Sequence, residues 1–203
     1  AILLYWPGVI TEDSRWQKNI WLFNEGFLQM NNNIKCLLAS ALLMTECGLA
    51  IAGNTGVQFA AGVNAGNINN SALAEISGCA ASRVNDGIFW MHNDSGDSPR
   101  IFAISKTGVL KATYNLSGAS AADYEDIAVG PGPVSGQSYV YVGDIGDNGA
   151  SRNTKQIYRL PEPKVGTSAA TQSVEKFNFV YPDGPRDAET LMVDTNGDVY
   201  VVS

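Results

Sequence analysis

The sequence predicts an all-β fold, a β-propeller of four-stranded antiparallel blades, from three observations. Short apolar runs alternate with turns rich in Gly, Asn and Asp, which is typical of antiparallel strands. The phrase Asp-x-Gly-Asp occurs at residues 94–97 and again at 144–147, each time directly after an aromatic-rich run. The order of strands and turns around both phrases also repeats. Four strands per about 40–50 residues is the unit of a propeller blade.

The first predicted unit begins near residue 75 and contains four strands. They are a short run at 77–82, an aromatic run at 88–92, a third run at 100–105 and a fourth at 109–116. The polar segments between them contain glycines, which supply the backbone conformations that tight turns need.

The second and third units repeat this order from about residues 123 and 187. Their strands are predicted at 125–130, 138–142, 156–160, 174–181, 189–194 and 198–203. The matched first strands begin at 77, 125 and 189, so the spacings are 48 (125−77) and 64 (189−125) residues. Residues 74–203 are therefore expected to hold about two and a half blades, a fragment of a larger ring. A β-sandwich is the competing interpretation, but the repeated turn order favours the propeller.

The first 73 residues of the chain are expected to lie outside this fold. Residues 30–52 have the layout of a secretory signal peptide: a polar start at Met30, an apolar core and a small-x-small cleavage pattern. This layout predicts a secreted or periplasmic protein. Residues 1–29 are interpreted as an upstream leader without assigned structure, and residues 53–73 as a flexible lead-in rich in Gly, Asn and Ala.

Composition excludes several classes of partner and metal. A formal charge of −7 with 13 Lys and Arg argues against a nucleic-acid surface. No apolar stretch approaches the roughly 20 residues of a membrane span. Zinc is a poor candidate because the expected mature chain has one His, His92, and one Cys, Cys79. The oligomeric state is left open.

Carboxylates are the candidate metal ligands. In a four-stranded blade, the loop between the second and third strands lies on the same face as the start of the first strand. Six carboxylates are therefore expected on one face: Asp94, Asp97, Glu125, Asp144, Asp147 and Glu189. Asp123, Asp126, Asp187 and Asn148 are near enough in sequence to join them. Hard oxygen ligands in loops suit Ca²⁺, although Asp-x-Gly-Asp can also be a turn without a ligand.

Four segments carry a family resemblance: residues 75–82, 92–97, 124–128 and 141–148. They resemble a group of exported bacterial β-propeller proteins and, more distantly, phytase-like and esterase-like propellers. The resemblance implies Ca²⁺ in an acidic channel mouth, with Glu125, Glu189, Asp94 and Asp144 as ligands. In true phytases such an ion binds phosphate and activates water. Arg100, Arg152 and Arg186 are the candidate phosphate-binding residues, by sequence proximity.

The leading functional hypothesis is an exported, calcium-binding propeller that hydrolyses a phosphoester or another ester. The alternative is a non-catalytic propeller whose face binds a protein or carbohydrate, with calcium holding the loops rigid. The sequence leaves open which of the two applies.

Overall fold

The computed structural model describes residues 61–203, and this part of the chain is all-β, without a helix. The prediction of an all-β fold is thereby confirmed. In chain order the strands are β1 (Ile76–Ala81), β2 (Ile88–Asn93), β3 (Arg100–Ser105), β4 (Leu110–Ser117), β5 (Tyr124–Pro131), β6 (Ser138–Asp144), β7 (Lys155–Pro161), β8 (Thr171–Ser173), β9 (Glu175–Phe179), β10 (Thr190–Val193) and β11 (Val199–Val202). Every strand except β8 lies on a run that the sequence predicts. The three residues of β8 are polar and carry no apolar pattern.

The strands form three sheets, none of which closes on itself. The first sheet has the order β1-β2-β3-β4-β8, the second β5-β6-β7-β9, and the third β10-β11. Within each sheet neighbouring strands are antiparallel, apart from β8, which pairs in parallel with β4. The first sheet therefore departs from the predicted four-stranded antiparallel pattern, because the connection after β7 returns to it and adds an edge strand.

The sheets pack on one another through two apolar layers. Strand β5 lies next to β1 and β2, and β10 lies next to β5 and β6. The layer between the first and second sheets includes Trp90, Tyr114, Val140 and Val142. The layer between the second and third sheets includes Tyr139, Tyr141, Leu191 and Val201. Strand β6 contributes alternate residues to each layer, so it is buried on both faces.

The first strands of the first two sheets share an irregular register. In the first sheet Ile76 pairs with Asn93 and Cys79 with Met91, with a register shift between these pairs. In the second sheet Tyr124 pairs with Asp144, and a register shift follows before the pair of Asp126 and Gly143.

This register changes the comparison of the two Asp-x-Gly-Asp phrases. By strand pairing, the residue of the first sheet that is equivalent to Asp144 is Asn93. An alignment of the two phrases instead makes Asp94 equivalent to Asp144. The two matched side chains also make matching hydrogen bonds. Asn93 Oδ1 accepts from the Glu75 N–H at 3.4 Å, and Asp144 Oδ1 accepts from the Asp123 N–H at 3.0 Å. The phrases are therefore one residue out of step with the strands.

The residues that precede β1 cover part of the outer face of the first sheet. Leu73 is buried against Phe102 and Ile104, and Ile68 and Ala72 pack on the same group. The predicted leader, the signal peptide and residues 53–60 lie outside the described residues. Among residues 61–203 there is no helix long and apolar enough to cross a membrane.

Candidate metal centre

Five carboxylates from the three sheets converge at one place, here called the acidic cluster. Asp94 follows β2, Asp123 and Glu125 lie at the start of β5, and Asp187 and Glu189 precede β10. Glu125 belongs to two groups of three, one with Asp94 and Asp123 and the other with Asp187 and Glu189. Within each group, one ligand oxygen per residue lies within 4.8 Å of the others. Glu125 therefore connects the two halves of the cluster.

A hydrogen bond between β10 and β5 brings Glu125 and Glu189 together. Glu125 lies at the irregular point of the β5–β6 ladder, between Tyr124 and Asp126, and such irregularities re-aim side chains. The next residue, Asp126, accepts a hydrogen bond from the Leu191 N–H at 2.8 Å through Oδ2. This contact ties β10 to β5 two residues after Glu189. One carboxylate oxygen of Glu125 lies within 4.8 Å of one of Glu189.

Gly146 makes room for the carboxylates. A Cβ atom at this position would lie 2.0 Å from Glu125 Oε1 and 2.5 Å from Asp123 Oδ2, so any side chain would displace them. The Gly146 N–H also donates to the Asp123 carbonyl oxygen at 3.2 Å. The glycine of the second Asp-x-Gly-Asp phrase therefore lines the cluster, although the two aspartates of that phrase do not.

The cluster holds more negative charge than its surroundings compensate. Burial raises the pKa of Glu125 to about 8, and the neighbouring Glu189, Asp94 and Asp123 add to this shift. Glu189 also hydrogen-bonds to the Glu125 carboxyl group. Burial and the charge of Asp94 raise the pKa of Asp123, while Arg152 opposes the shift. A proton or a cation is therefore stabilising at this position.

Asp97 lies apart from the cluster, in an ion pair. Arg100 contacts both of its carboxylate oxygens, with Nη2 at 2.8 Å from Oδ1 and Nε at 2.9 Å from Oδ2. Asn93 Nδ2 donates to Oδ2 at 2.8 Å. These contacts stabilise the loop between β2 and β3.

Asp144 and Asp147 are committed to basic side chains and backbone N–H groups. Buried Asp144 pairs with Arg152 at 2.6 Å and accepts from the Asp123 N–H. Asp147 pairs with the buried Lys155 at 2.7 Å and accepts from the N–H groups of Ser151 and Arg152. Although burial acts against it, Lys155 and these donors hold the pKa of Asp147 well below its usual range. Both aspartates thus stabilise the loop after β6.

His92 is packed and hydrogen-bonded as a residue with a structural role. Its ring is buried, packs edge-on against Tyr124 at 5.6 Å between centroids, and places Nδ1 at 2.8 Å from the Asn93 carbonyl oxygen. Burial lowers its pKa from the ordinary value of 6.5. His92 is therefore neutral at pH 7.

The structure brings together three of the six ligands predicted from sequence, Asp94, Glu125 and Glu189. Asp123 and Asp187, which the sequence identifies as neighbours, complete the cluster. The sequence contains a pattern that indicates both residues as ligands: each stands two residues before a glutamate of the cluster, in an Asp-x-Glu pattern.

Comparison with protein-family models, curated proteins and solved structures finds no match for this chain. The assignment of a function therefore rests on the residues of the acidic cluster and their geometry.

Proposed function

We propose that this protein binds a Ca²⁺ ion in the acidic cluster and that the ion joins the three sheets. The main support for this proposal is the position of Glu125. Its carboxylate lies close to both Asp94, which follows β2 of the first sheet, and Glu189, which precedes β10 of the third. A cation at Glu125 would neutralise the repulsion that raises its pKa. The loops that supply the ligands would then be held in one arrangement.

The ligand chemistry of the acidic cluster suits calcium. All donors in the cluster are carboxylate oxygens, the hard ligands that Ca²⁺ prefers. With Ca–O bonds of about 2.3–2.6 Å, two oxygens on one ion lie up to about 5 Å apart. The ligand oxygens of each group all lie within 4.8 Å of one another, which is compatible with this span. Zinc prefers nitrogen and sulfur ligands, and Mg²⁺ needs shorter bonds in a stricter octahedron.

The propeller predicted from sequence is part of this proposal. Strand β5 lies between β1 and β10, and each of these three strands begins its own sheet. This side-by-side order of first strands supports an arrangement of successive blades around an axis. The acidic cluster lies at the start of β5 and just before β10, which corresponds to one mouth of the central channel.

A stabilising role for calcium is favoured over phosphoester hydrolysis. Each arginine considered for phosphate binding is paired with an aspartate: Arg100 with Asp97 at 2.8 Å, Arg152 with Asp144 at 2.6 Å, and Arg186 with Asp183. A phosphate group would have to displace these carboxylates. The export predicted from the sequence also suits this role, since extracellular calcium modules work at dissociation constants of about 10⁻⁴–10⁻³ M.

Calcium titration of the full chain tests the proposal. Glu125→Gln removes the charge shared by both halves of the cluster, and Asp97→Asn is the matched control outside it. With calcium at 100 times its dissociation constant, we expect the free energy of unfolding to rise by about 2.7 kcal/mol. Glu125→Gln should lose this gain yet be more stable than the wild type without metal. Asp97→Asn should keep the gain.

Two outcomes contradict the proposed site. One is an equal calcium-dependent gain in the wild type and Glu125→Gln. The other is equal stabilisation by Mg²⁺ and Ca²⁺ at the same concentration. Assays with nitrophenyl phosphate and nitrophenyl acetate complete the test of function. Calcium-dependent turnover that Glu125→Gln abolishes would favour the hydrolase, and no turnover would favour the stabilising role.

A further inference from the structure

Arg152 holds the loop that follows β6, the loop of the second Asp-x-Gly-Asp phrase. Its guanidinium group donates from Nη1 to the Gly146 carbonyl oxygen at 2.7 Å. From Nη2 it donates to Asp144 Oδ1 at 2.6 Å and to Gln156 Oε1 at 3.2 Å. Because the group is planar and its donors have fixed directions, these three acceptors fix its orientation and the course of the loop around it.

Two of the residues that Arg152 contacts bind the backbone around Asp123, a member of the acidic cluster. Asp144 accepts from the Asp123 N–H at 3.0 Å through Oδ1 and from the Ala122 N–H at 3.3 Å through Oδ2. The Gly146 N–H donates to the Asp123 carbonyl oxygen at 3.2 Å. The backbone of Asp123 is thus held at both its N–H and its carbonyl group by residues that Arg152 contacts.

The same loop also contacts Asp187, the member of the cluster that precedes the third sheet. The backbone N–H of Asp147 donates to Asp187 Oδ1. The Asp147 carboxylate in turn accepts from the Arg152 N–H at 2.8 Å and from Lys155 Nζ at 2.7 Å. One loop therefore contacts cluster residues from two different parts of the chain, Asp123 and Asp187.

The equivalent place in the first sheet lacks this arrangement. By strand pairing, Glu75 is equivalent to Asp123, and the neutral Asn93 takes the place of Asp144. Asn93 accepts from the Glu75 N–H at the longer distance of 3.4 Å. Glu75 belongs to neither of the two carboxylate groups found among residues 61–203, whereas Asp123 belongs to one of them. The carboxylate that lies in the cluster is thus the one whose backbone the loop of Arg152 binds.

We propose that Arg152 is a positioning residue of the calcium site, which holds Asp123 and Asp187 beside Glu125 through the loop after β6. This inference rests on the proposed function of the acidic cluster. Arg152 acts through its hydrogen bonds and not through its charge, because a positive charge near the site repels a bound cation. The two roles predict opposite results when the charge is removed: loss of the hydrogen bonds weakens calcium binding, and loss of the repulsion strengthens it.

Calorimetric titration of the full chain with Ca²⁺ at pH 9 tests the sign of this effect. At this pH Glu125, whose pKa is about 8, is ionised in about nine-tenths of molecules, so its protonation does not mask the result. Arg152→Gln should weaken calcium binding at least tenfold although it removes a repelling charge. Arg152→Lys should weaken it as well, because an ammonium group lacks the planar fork that spans Gly146 and Asp144.

Arg100→Lys is the matched control for Arg152→Lys. Arg100 also pairs with an aspartate, Asp97, and its side chain is 26% exposed, against 24% for Arg152. Asp97 lies outside the cluster, so this variant should bind calcium as the wild type does. Unchanged or tighter calcium binding by Arg152→Gln, or an equal loss in Arg152→Lys and Arg100→Lys, would overturn the proposal.

Terbium luminescence separates positioning from a general loss of stability. Tb³⁺ is the probe because, like Ca²⁺, it takes oxygen ligands, and its luminescence lifetimes in H₂O and D₂O give the number of water molecules on the bound ion. At saturating Tb³⁺, Arg152→Lys should carry about one or two more of these waters than the wild type, since water replaces a displaced carboxylate. Equal numbers of waters in the two proteins would contradict a positioning role.

Circular dichroism checks that each variant folds. If neither Arg152 variant folds, Gln156→Ala, which removes one acceptor of the guanidinium group, is judged by the same two measurements. Failure of the calcium site itself gives a different result: the wild type would bind neither Ca²⁺ nor Tb³⁺, which would refute the proposed function and this inference with it.

Discussion

The affinity for calcium should fall as the pH falls, because Glu125 must lose a proton before it can bind the ion. Its buried position among Glu189, Asp94 and Asp123 raises its pKa to about 8. A carboxylate with an ordinary pKa near 4.5 would be ionised throughout the neutral range and would give no such dependence. We therefore expect calcium binding at the proposed site to release a proton.

The magnitude follows from the pKa. With a value of about 8, Glu125 is ionised in about nine-tenths of molecules at pH 9 and in about one in a hundred at pH 6. The dissociation constant should therefore rise about 100-fold between these pH values, tenfold per unit below pH 8. Each Ca²⁺ bound should release about one proton at pH 6 and about 0.1 at pH 9.

Isothermal titration calorimetry in buffers of different ionisation enthalpy measures both quantities. The enthalpy measured in each buffer gives the number of protons released, and the titration curve gives the dissociation constant. Glu125→Asp keeps the charge and serves as a comparison, since its titration should remain coupled to calcium. An affinity that does not change between pH 6 and pH 9, without proton release, would refute the reasoning.

Three further predictions follow from single contacts. Gly146→Ala should weaken calcium binding at least tenfold in calorimetry, because the added Cβ would lie 2.0 Å from Glu125 Oε1. Gly149→Ala is the control, since a Cβ at that position would lie 3.7 Å from its nearest neighbour, Ser151 Oγ. Without metal, Glu125 should make the free energy of unfolding in urea fall as the pH rises from about 4.5 to about 8, since the folded state keeps a proton on Glu125 that the unfolded state releases. The lowered pKa of His92 acts in the opposite direction up to about pH 6.5, so the measurement is the difference between the wild type and Glu125→Gln, which should lack the contribution of Glu125. Glu162→Ala should cost about 1–3 kcal/mol in urea denaturation because the buried Trp90 Nε1, 2.8 Å from Glu162 Oε1, loses its acceptor, whereas Glu162→Gln keeps one and should cost less.

The strands were predictable because their signals are local. In β6, alternating Tyr and Val residues reveal the two faces of a strand, and Gly96 and Gly108 mark turns through their positive φ values of 87° and 83°. Strand β8 was missed because its pairing partner, β4, lies more than fifty residues earlier. The three polar residues of β8 do not by themselves indicate a strand that pairs with β4.

The candidate site was predictable in part. Asp94, Glu125 and Glu189 were identified because they stand at the beginnings or ends of strands. Asp144 and Asp147 stand at similar points, yet Arg152 and Lys155 pair with them in the folded chain. Such pairings depend on how the loop after β6 folds back, which a repeated phrase does not encode.

The sequence by itself determined the all-β class, the order of the strands and the acidic character of one group of loops. These properties follow from residue alternation and turn chemistry, which act over a few neighbouring residues. The tertiary structure decided which carboxylates meet. It placed Glu125 beside Glu189 through the contact between Asp126 and Leu191, and it shifted the two repeated phrases by one residue relative to the strands. The physical reason is that a shared charge site depends on strand register and on the packing of sheets distant in sequence.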